Sequence, residues 1–185
     1  MPELPDSELV VRAQQGDLNA MGMLYDQHYK MIFRYLRARV GDQLLAEDLT
    51  GDVFRRMLTG LPQYRSLGLP FRAWLFRIAH NLMIDHYRQE SGREMASLDE
   101  DKTESQPQGE DDPAVVLEQK LRFENAHRAL SELEQFQREV LALRFLGGLS
   151  LRETALALNK TEDAVKALQR RGLIALRLTL TEEQP

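Results

Sequence analysis

The stretch Phe71-Arg72-Ala73-Trp74-Leu75-Phe76-Arg77-Ile78-Ala79-His80-Asn81-Leu82-Met83-Ile84-Asp85-His86-Tyr87-Arg88 decides how the chain folds. Phe71, Leu75, Ile78 and Leu82 recur at helical spacing, which predicts one buried stripe on a helix opening near Phe71. At about 100° per residue, Arg77, Asn81, Asp85 and Arg88 fall within one other quadrant, with Trp74 at its margin. Two guanidiniums, an amide, a carboxylate and an aromatic thus share one side of the helix. Such a face is either a solvated polar surface beside a structural tryptophan or a surface for nucleic acid. In the second case arginine meets phosphates, asparagine meets base edges and the aromatic stacks on an unpaired base.

Upstream, Gly60, Pro62, Gly68 and Pro70 break the chain before this helix. Ala46 to Leu58 is amphipathic, with Leu45, Leu49, Val53, Met57 and Leu58 on its apolar side and Glu47, Asp48, Asp52, Arg55 and Arg56 on the rest. Leu9, Val10 and Ala13, then Met21, Leu24, Tyr25, Ile32, Tyr35 and Leu36, mark two or three further helices interrupted near Gly16-Asp17. No sustained alternation and no Asn-Gly or Asp-Gly turn signals a strand.

Downstream, Ser91 to Pro113 combines Gly92, Pro107, Gly109 and Pro113 with many acids and few large apolar residues, the composition of a flexible linker. Leu121, Leu130, Leu133, Phe136, Val140, Leu143 and Leu146 then mark helices that stop at Gly147-Gly148. Ser150-Leu151-Arg152-Glu153 is a capping-box pattern, and Leu151, Thr154, Ala155 and Leu158 supply an apolar face behind it. Asn159-Lys160 makes a short turn, Thr161 can cap, and a second helix runs from Glu162 to about Leu178 with Val165, Leu168, Ala175 and Leu176 facing inward. A short capped helix, a tight turn and a longer basic helix form a helix-turn-helix pattern. The outward side of the second helix carries Glu162, Asp163, Lys166, Gln169, Arg170 and Arg177, so bases can meet phosphates while N-terminal side chains enter a major groove.

The net charge of −5 over 185 residues would by itself argue against a polyanionic partner. Its distribution reverses that inference. Glu94, Asp99, Glu100, Asp101, Glu104, Glu110, Asp111 and Asp112 face only Lys102, so the acidity belongs to the linker. The bases gather from Arg65 to Arg93 and from Lys160 to Arg177. The absence of cysteine excludes disulfides, thiolate nucleophiles and Cys-containing zinc sites. No apolar run approaches the ~20 residues of a membrane span, and Met1-Pro2-Glu3-Leu4-Pro5-Asp6 lacks the features of a signal peptide. A cytoplasmic protein without membrane insertion is expected.

Catalysis has no visible equipment. No Gly-rich phosphate loop, HExxH or GxSxG is present. His80, Asp85 and His86 share a helix, but His86 lies roughly 120° from His80 around it, so a metal-dependent enzyme is disfavoured. No metal site and no cofactor are expected.

Over nearly all of the chain outside the linker, these motifs resemble the extracytoplasmic-function sigma factors of bacterial RNA polymerase. Ala46-Glu47-Asp48-Leu49-Thr50-Gly51-Asp52-Val53-Phe54 resembles the family helix that docks on the clamp helices of the largest polymerase subunit. Phe71 to Arg88 resembles the segment that melts and reads the minus-10 element. Arg138-Glu139-Val140-Leu141 through Arg144, then Gly148-Leu149-Ser150 and the helix pair, resemble the domain that reads the minus-35 element.

The resemblance implies an all-α fold of two small helical domains, residues 1–95 and 115–182, joined by a flexible acidic linker at 96–114. It implies core-polymerase contacts at Glu47, Asp48, Asp52 and Phe54, and a flap contact on the second-largest subunit. Minus-10 contacts are implied at Tyr64, Arg72, Trp74, Arg77, Asn81, Asp85 and Arg88, with Asn81 and the loop from Tyr64 to Pro70 capturing a flipped-out base. Minus-35 contacts are implied at Arg144, Arg152, Asp163, Lys166, Gln169, Arg170 and Arg171. An anti-sigma partner is also expected.

The reading helix departs from the family pattern. Leu168 and Leu173 stand where arginines are common, and Gly172 replaces an alanine. Leu168 is expected to face inward and Leu173 outward. With the sequence ending shortly after Leu180, no further C-terminal regulatory domain is expected. The competing readings are a sigma-like decoy that sequesters an anti-sigma protein and a simple operator-binding repressor. Arg72, Arg77, Asn81 and Arg88 argue against the decoy, and the first domain argues against the repressor.

Overall fold

In the computed structural model the described residues are 4–94 and 113–182, and every regular element among them is helical. The stretch read as a linker at 96–114 lies outside the described residues apart from Pro113 and Ala114, which open a helix. Proline is suited to that first turn because it has no amide hydrogen to leave unpaired.

The first group comprises α1 (Asp6–Gln14), α2 (Leu18–Val40), α3 (Gln43–Gly60) and α4 (Phe71–Glu94). The interruption expected near Gly16-Asp17 is a turn in which Gly16 adopts φ +90° and Asp17 caps α2. Asp17 Oδ1 accepts from the amides of Asn19 at 2.9 Å and Ala20 at 3.1 Å, while Oδ2 receives the Arg12 guanidinium at 2.7 Å. These hydrogen bonds hold the Asp17 carboxyl below its ordinary pKa. Leu9, Leu24, Ile32, Leu36, Val53, Met57 and Leu75 close the core between these helices.

Along α4, Phe71, Leu75 and Leu82 are buried as the spacing predicts, and Ile78 is half-buried. A single stripe understates the burial. Ala73, Phe76, Ala79 and Met83 are buried as well, because a second group of helices packs against the opposite side of α4.

That second group comprises α5 (Pro113–Ser131), α6 (Gln135–Leu141), a π-helical turn (Ala142–Leu146), α7 (Leu151–Leu158) and α8 (Glu162–Glu182). The chain stops at Gly147-Gly148 as expected, with Gly148 at φ +65°, a conformation that favours glycine. The capping box at Ser150 is complete. Ser150 Oγ accepts from the Glu153 amide at 3.1 Å, and Glu153 Oε2 accepts from the Ser150 amide at 2.7 Å. Asn159 turns the chain at φ +52°, and Thr161 Oγ1 accepts from the Ala164 amide at 3.1 Å to open α8. Val140, Ala155, Val165 and Leu168 pack between α6, α7 and α8, so Leu168 does face inward. Leu173 is 42% exposed, on the outward side.

Gly172 has a packing reason. A Cβ there would stand 2.9 Å from Leu141 Cδ1 and 3.2 Å from its Cγ, so glycine lets α8 approach α6 closely. Replacing Ser150 by alanine removes one cap acceptor and is expected to lower stability by about 1 kcal/mol. Calorimetric melting checks this, and Ser150→Asp should recover most of the loss.

Leu130, Leu133, Leu141, Leu143 and Leu149 share one continuous core with Leu36, Phe76 and Met83. Of the two arrangements that a long linker permits, spread or closed, the structure holds the closed one.

Candidate nucleic-acid interface

The loop before α4 is fixed from within. Tyr64 is buried and donates its hydroxyl to Leu69 O at 2.7 Å, while Trp74 lies against Tyr64 and Phe71 at ring separations of 4.7 and 5.6 Å. Gly60 backs the indole, since a Cβ there would stand 3.1 Å from Trp74 Cζ2. Tyr64 and Trp74 therefore act as packing residues in this arrangement. Leu67, at the tip of the same loop, is 90% exposed.

The guanidiniums beside them reach across to the second group of helices. Arg72 Nη2 donates to the carbonyls of Gly147 at 2.8 Å and Gly148 at 2.7 Å. Arg34 donates to Leu146 O through Nε at 2.9 Å and Nη2 at 2.8 Å, and Arg77 donates to Leu156 O. The acceptors sit where the π-helical turn and α7 end. Terminal carbonyls lack intrahelical donors and carry the negative end of the helix dipole, so two helix C-termini offer these cations the oxygen atoms that phosphates would offer. One turn further along α4, Asn81 is exposed and Asp85 half-buried, and Arg88 is exposed at the edge of a cavity between the two groups.

Between the groups lies a buried polar cluster that sequence reasoning did not single out. Glu139 of α6 is 2% exposed. Its Oε2 accepts from Arg39 Nη2 at 2.9 Å, and its Oε1 accepts from the hydroxyl of buried Tyr35. His80 Nδ1 stands 3.0 Å from Oε1 without hydrogen-bonding alignment. Burial alone would raise the Glu139 carboxyl, but the His80 imidazole, the Arg39 charge and the Tyr35 hydroxyl together outweigh it and hold the group at about 2. The signal that could have found it is a glutamate inside an apolar helix face, Glu139-Val140-Leu141, which demands a buried partner. Gly147 packs against Phe76 beside this cluster, where a Cβ would come within 2.7 Å of Phe76 Cε1 and 2.8 Å of Leu143 O.

On the helix-turn-helix, Arg152, Asp163, Lys166, Arg170 and Arg171 are exposed. Lys166 pairs with Asp163 at 3.5 Å, and Arg144 holds Gln169 at 2.8 Å while donating to Leu149 O. On α3, Glu47 and Asp48 are exposed and Asp52 pairs with Arg55, whereas Phe54 is buried against Tyr25 and offers little surface. His80 faces Glu139, but His86 faces Glu90 at 3.3 Å, and no group of three metal-ligating side chains occurs among the described residues. No described helix is long and apolar enough to cross a membrane.

The family described as Sigma-70 region 2 matches residues 24–93, and Sigma-70, region 4 matches residues 129–178. The chain is 38% identical over 178 residues to ECF RNA polymerase sigma factor BldN of Streptomyces coelicolor, covering 95% of this chain and 66% of that relative's length. It is 35% identical over 175 residues to ECF RNA polymerase sigma factor SigD of Mycobacterium tuberculosis, covering 91% of this chain and 81% of the relative. Among solved structures, CnrH in complex with the cytosolic domain of CnrY superposes with a TM-score of 0.75 at 26% identity, covering 97% of this chain and 99% of that one.

Proposed function

Because the chain belongs to the extracytoplasmic-function (ECF) sigma factors, which are not enzymes, we propose that it binds core RNA polymerase and directs it to a two-part promoter. The first group of helices, within 1–95, contacts the largest-subunit clamp through the α3 face of Glu47, Asp48 and Asp52, and opens the minus-10 element with α4. The second, within 115–182, reads the minus-35 element with α8 and meets the flap of the second-largest subunit. The stretch 96–114 is the tether between them. The protein works in the cytoplasm, at the nucleoid when polymerase carries it, and an anti-sigma protein is its expected inhibitor.

One observation carries this reading: Arg72 and Arg77 each donate to oxygen acceptors at helix ends, the kind of atom that phosphates also present. Exposed Asn81 stands on the next turn of the same helix. In the closed arrangement these guanidiniums are engaged by the chain itself. Promoter binding therefore requires the two groups to part, and core polymerase can hold them apart by binding both.

The test is transcription from a genome-wide template pool by core polymerase, with and without the protein, repeated with Asn81→Ala. Discrete starts that depend on the protein are expected, weakened about tenfold in the variant if Asn81 reads one base at about 1–3 kcal/mol. A protein that binds core yet yields no starts at any ionic strength is a decoy instead.

A further inference from the structure

A cavity of about 610 Å³ lies between the two groups of helices, with Arg39, Ile84 and Arg88 on the wall from α2 and α4, and Leu130, Gln135 and Arg138 on the wall from α5 and α6. Among the described residues three arginines and no carboxylate line it. Arg39 is 4% exposed, and its Nε, like that of Arg138, is buried without a partner. Arg39 pairs with the carboxylate of Glu139, which Tyr35 engages as well. Burial, and next the positive charge of Arg39, lower the Arg138 guanidinium below its ordinary value, while Glu139 and Glu134 offset this only in part. Arg39 is committed to Glu139, which leaves Arg88 and Arg138 as the cations that line the cavity and can meet an anion there.

We propose that this cavity binds a small organic phosphate bearing two or more phosphate groups, which bridges the two helical groups. Planar guanidinium forks match phosphate oxygens. Ile84 and Leu130 supply apolar surface for an organic body that a bare ion would not use, and the volume falls in the usual range for small-molecule sites. Since the walls come from both groups, an occupant binds only the closed arrangement and stabilises it by mass action. The site needs only the fold. Its consequence, a lowered affinity for promoter DNA, rests on the sigma-factor reading.

The full chain should be titrated calorimetrically with pyrophosphate, ADP and fructose 1,6-bisphosphate, against sulfate at matched ionic strength. Saturable binding of ADP or the sugar bisphosphate at least tenfold tighter than sulfate is expected, and comparison of the two distinguishes a nucleotide from a sugar source. Arg138→Gln should weaken it at least tenfold. Because Arg138 also donates to Ser131 O and Leu133 O, Gln135→Glu is the second variant. It places a negative charge on the wall from an exposed position, and it too should weaken binding at least tenfold with the melting temperature kept. Binding no tighter than sulfate overturns the proposal, as does binding that Gln135→Glu leaves unchanged, which would locate the anion on the DNA-facing arginines. Neither result depends on transcription, so failure here leaves the sigma-factor reading standing.

Discussion

Replacing Glu139 by alanine is expected to part the two groups of helices without unfolding either. The substitution strands the Arg39 charge, which is 4% exposed, beside a Tyr35 hydroxyl that has lost its acceptor. Removing one partner of a buried ion pair typically costs about 3–5 kcal/mol. Separation relieves most of that by admitting water to Arg39. Small-angle scattering should then show a larger radius of gyration. Anisotropy with a minus-10 single strand should show binding at least tenfold tighter, since Arg72 and Arg77 become available. An unchanged radius together with unchanged strand affinity would sink the idea that this cluster holds the molecule shut.

Acid should do reversibly what the alanine does permanently. The Glu139 carboxyl titrates at about 2 in the closed form, against 4.5 when solvated. Its contribution to closure is therefore complete above pH 4.5 and is lost as pH falls from there toward 2. Asp17 is also lowered, by its hydrogen bonds to Arg12 and the start of α2, and it weakens the first group in the same direction. Glu139→Gln separates the two effects: it should abolish the acid-induced expansion seen by scattering while leaving the acid sensitivity of the α2 cap.

Gly147→Ala attacks the same seam sterically. The added methyl would meet Phe76 Cε1 at 2.7 Å and Leu143 O at 2.8 Å, inside any tolerable contact. Phe76 is fully buried against Tyr35 and has nowhere to retreat. Overpacking of this kind costs about 1–3 kcal/mol, roughly a 5- to 150-fold shift toward the parted form. Phe76→Leu in the same chain should restore part of the closure, which scattering reads directly. If the double variant is as open as Gly147→Ala alone, the clash with Leu143 O within the turn is the operative one, and the contact with Phe76 is incidental.

What the sequence makes legible is local. Ser150 with Glu153, Thr161 and Gly148 each announce a helix end within four residues, and each does what its chemistry requires. The stripe Phe71, Leu75, Leu82 is equally plain. The polar side of α4 was also legible as a surface, but its partners were not. Arg77 meets a carbonyl 79 positions later, and Arg39 meets Glu139 100 positions later. No periodicity relates residues that far apart, and main-chain acceptors carry no sequence signature at all. Burial of Phe76 and Met83 on the second side of α4 escaped for the same reason. The π-helical turn at Ala142–Leu146 was not foreseen either, since its five residues read like an ordinary helix end.

The oxygens that hold Arg34, Arg72 and Arg77 are neutral amide carbonyls. No condensed counterions leave when these contacts form and none return when they break. Promoter phosphates behave otherwise, because binding them releases cations and affinity falls steeply as salt rises. In the proposed function Arg72 and Arg77 are thus claimed by two acceptors, of which only the phosphate responds steeply to salt. A rise in ionic strength tips them toward the chain's own helix ends, which makes the folded protein a competitor of DNA that gains ground as the cell interior becomes more concentrated.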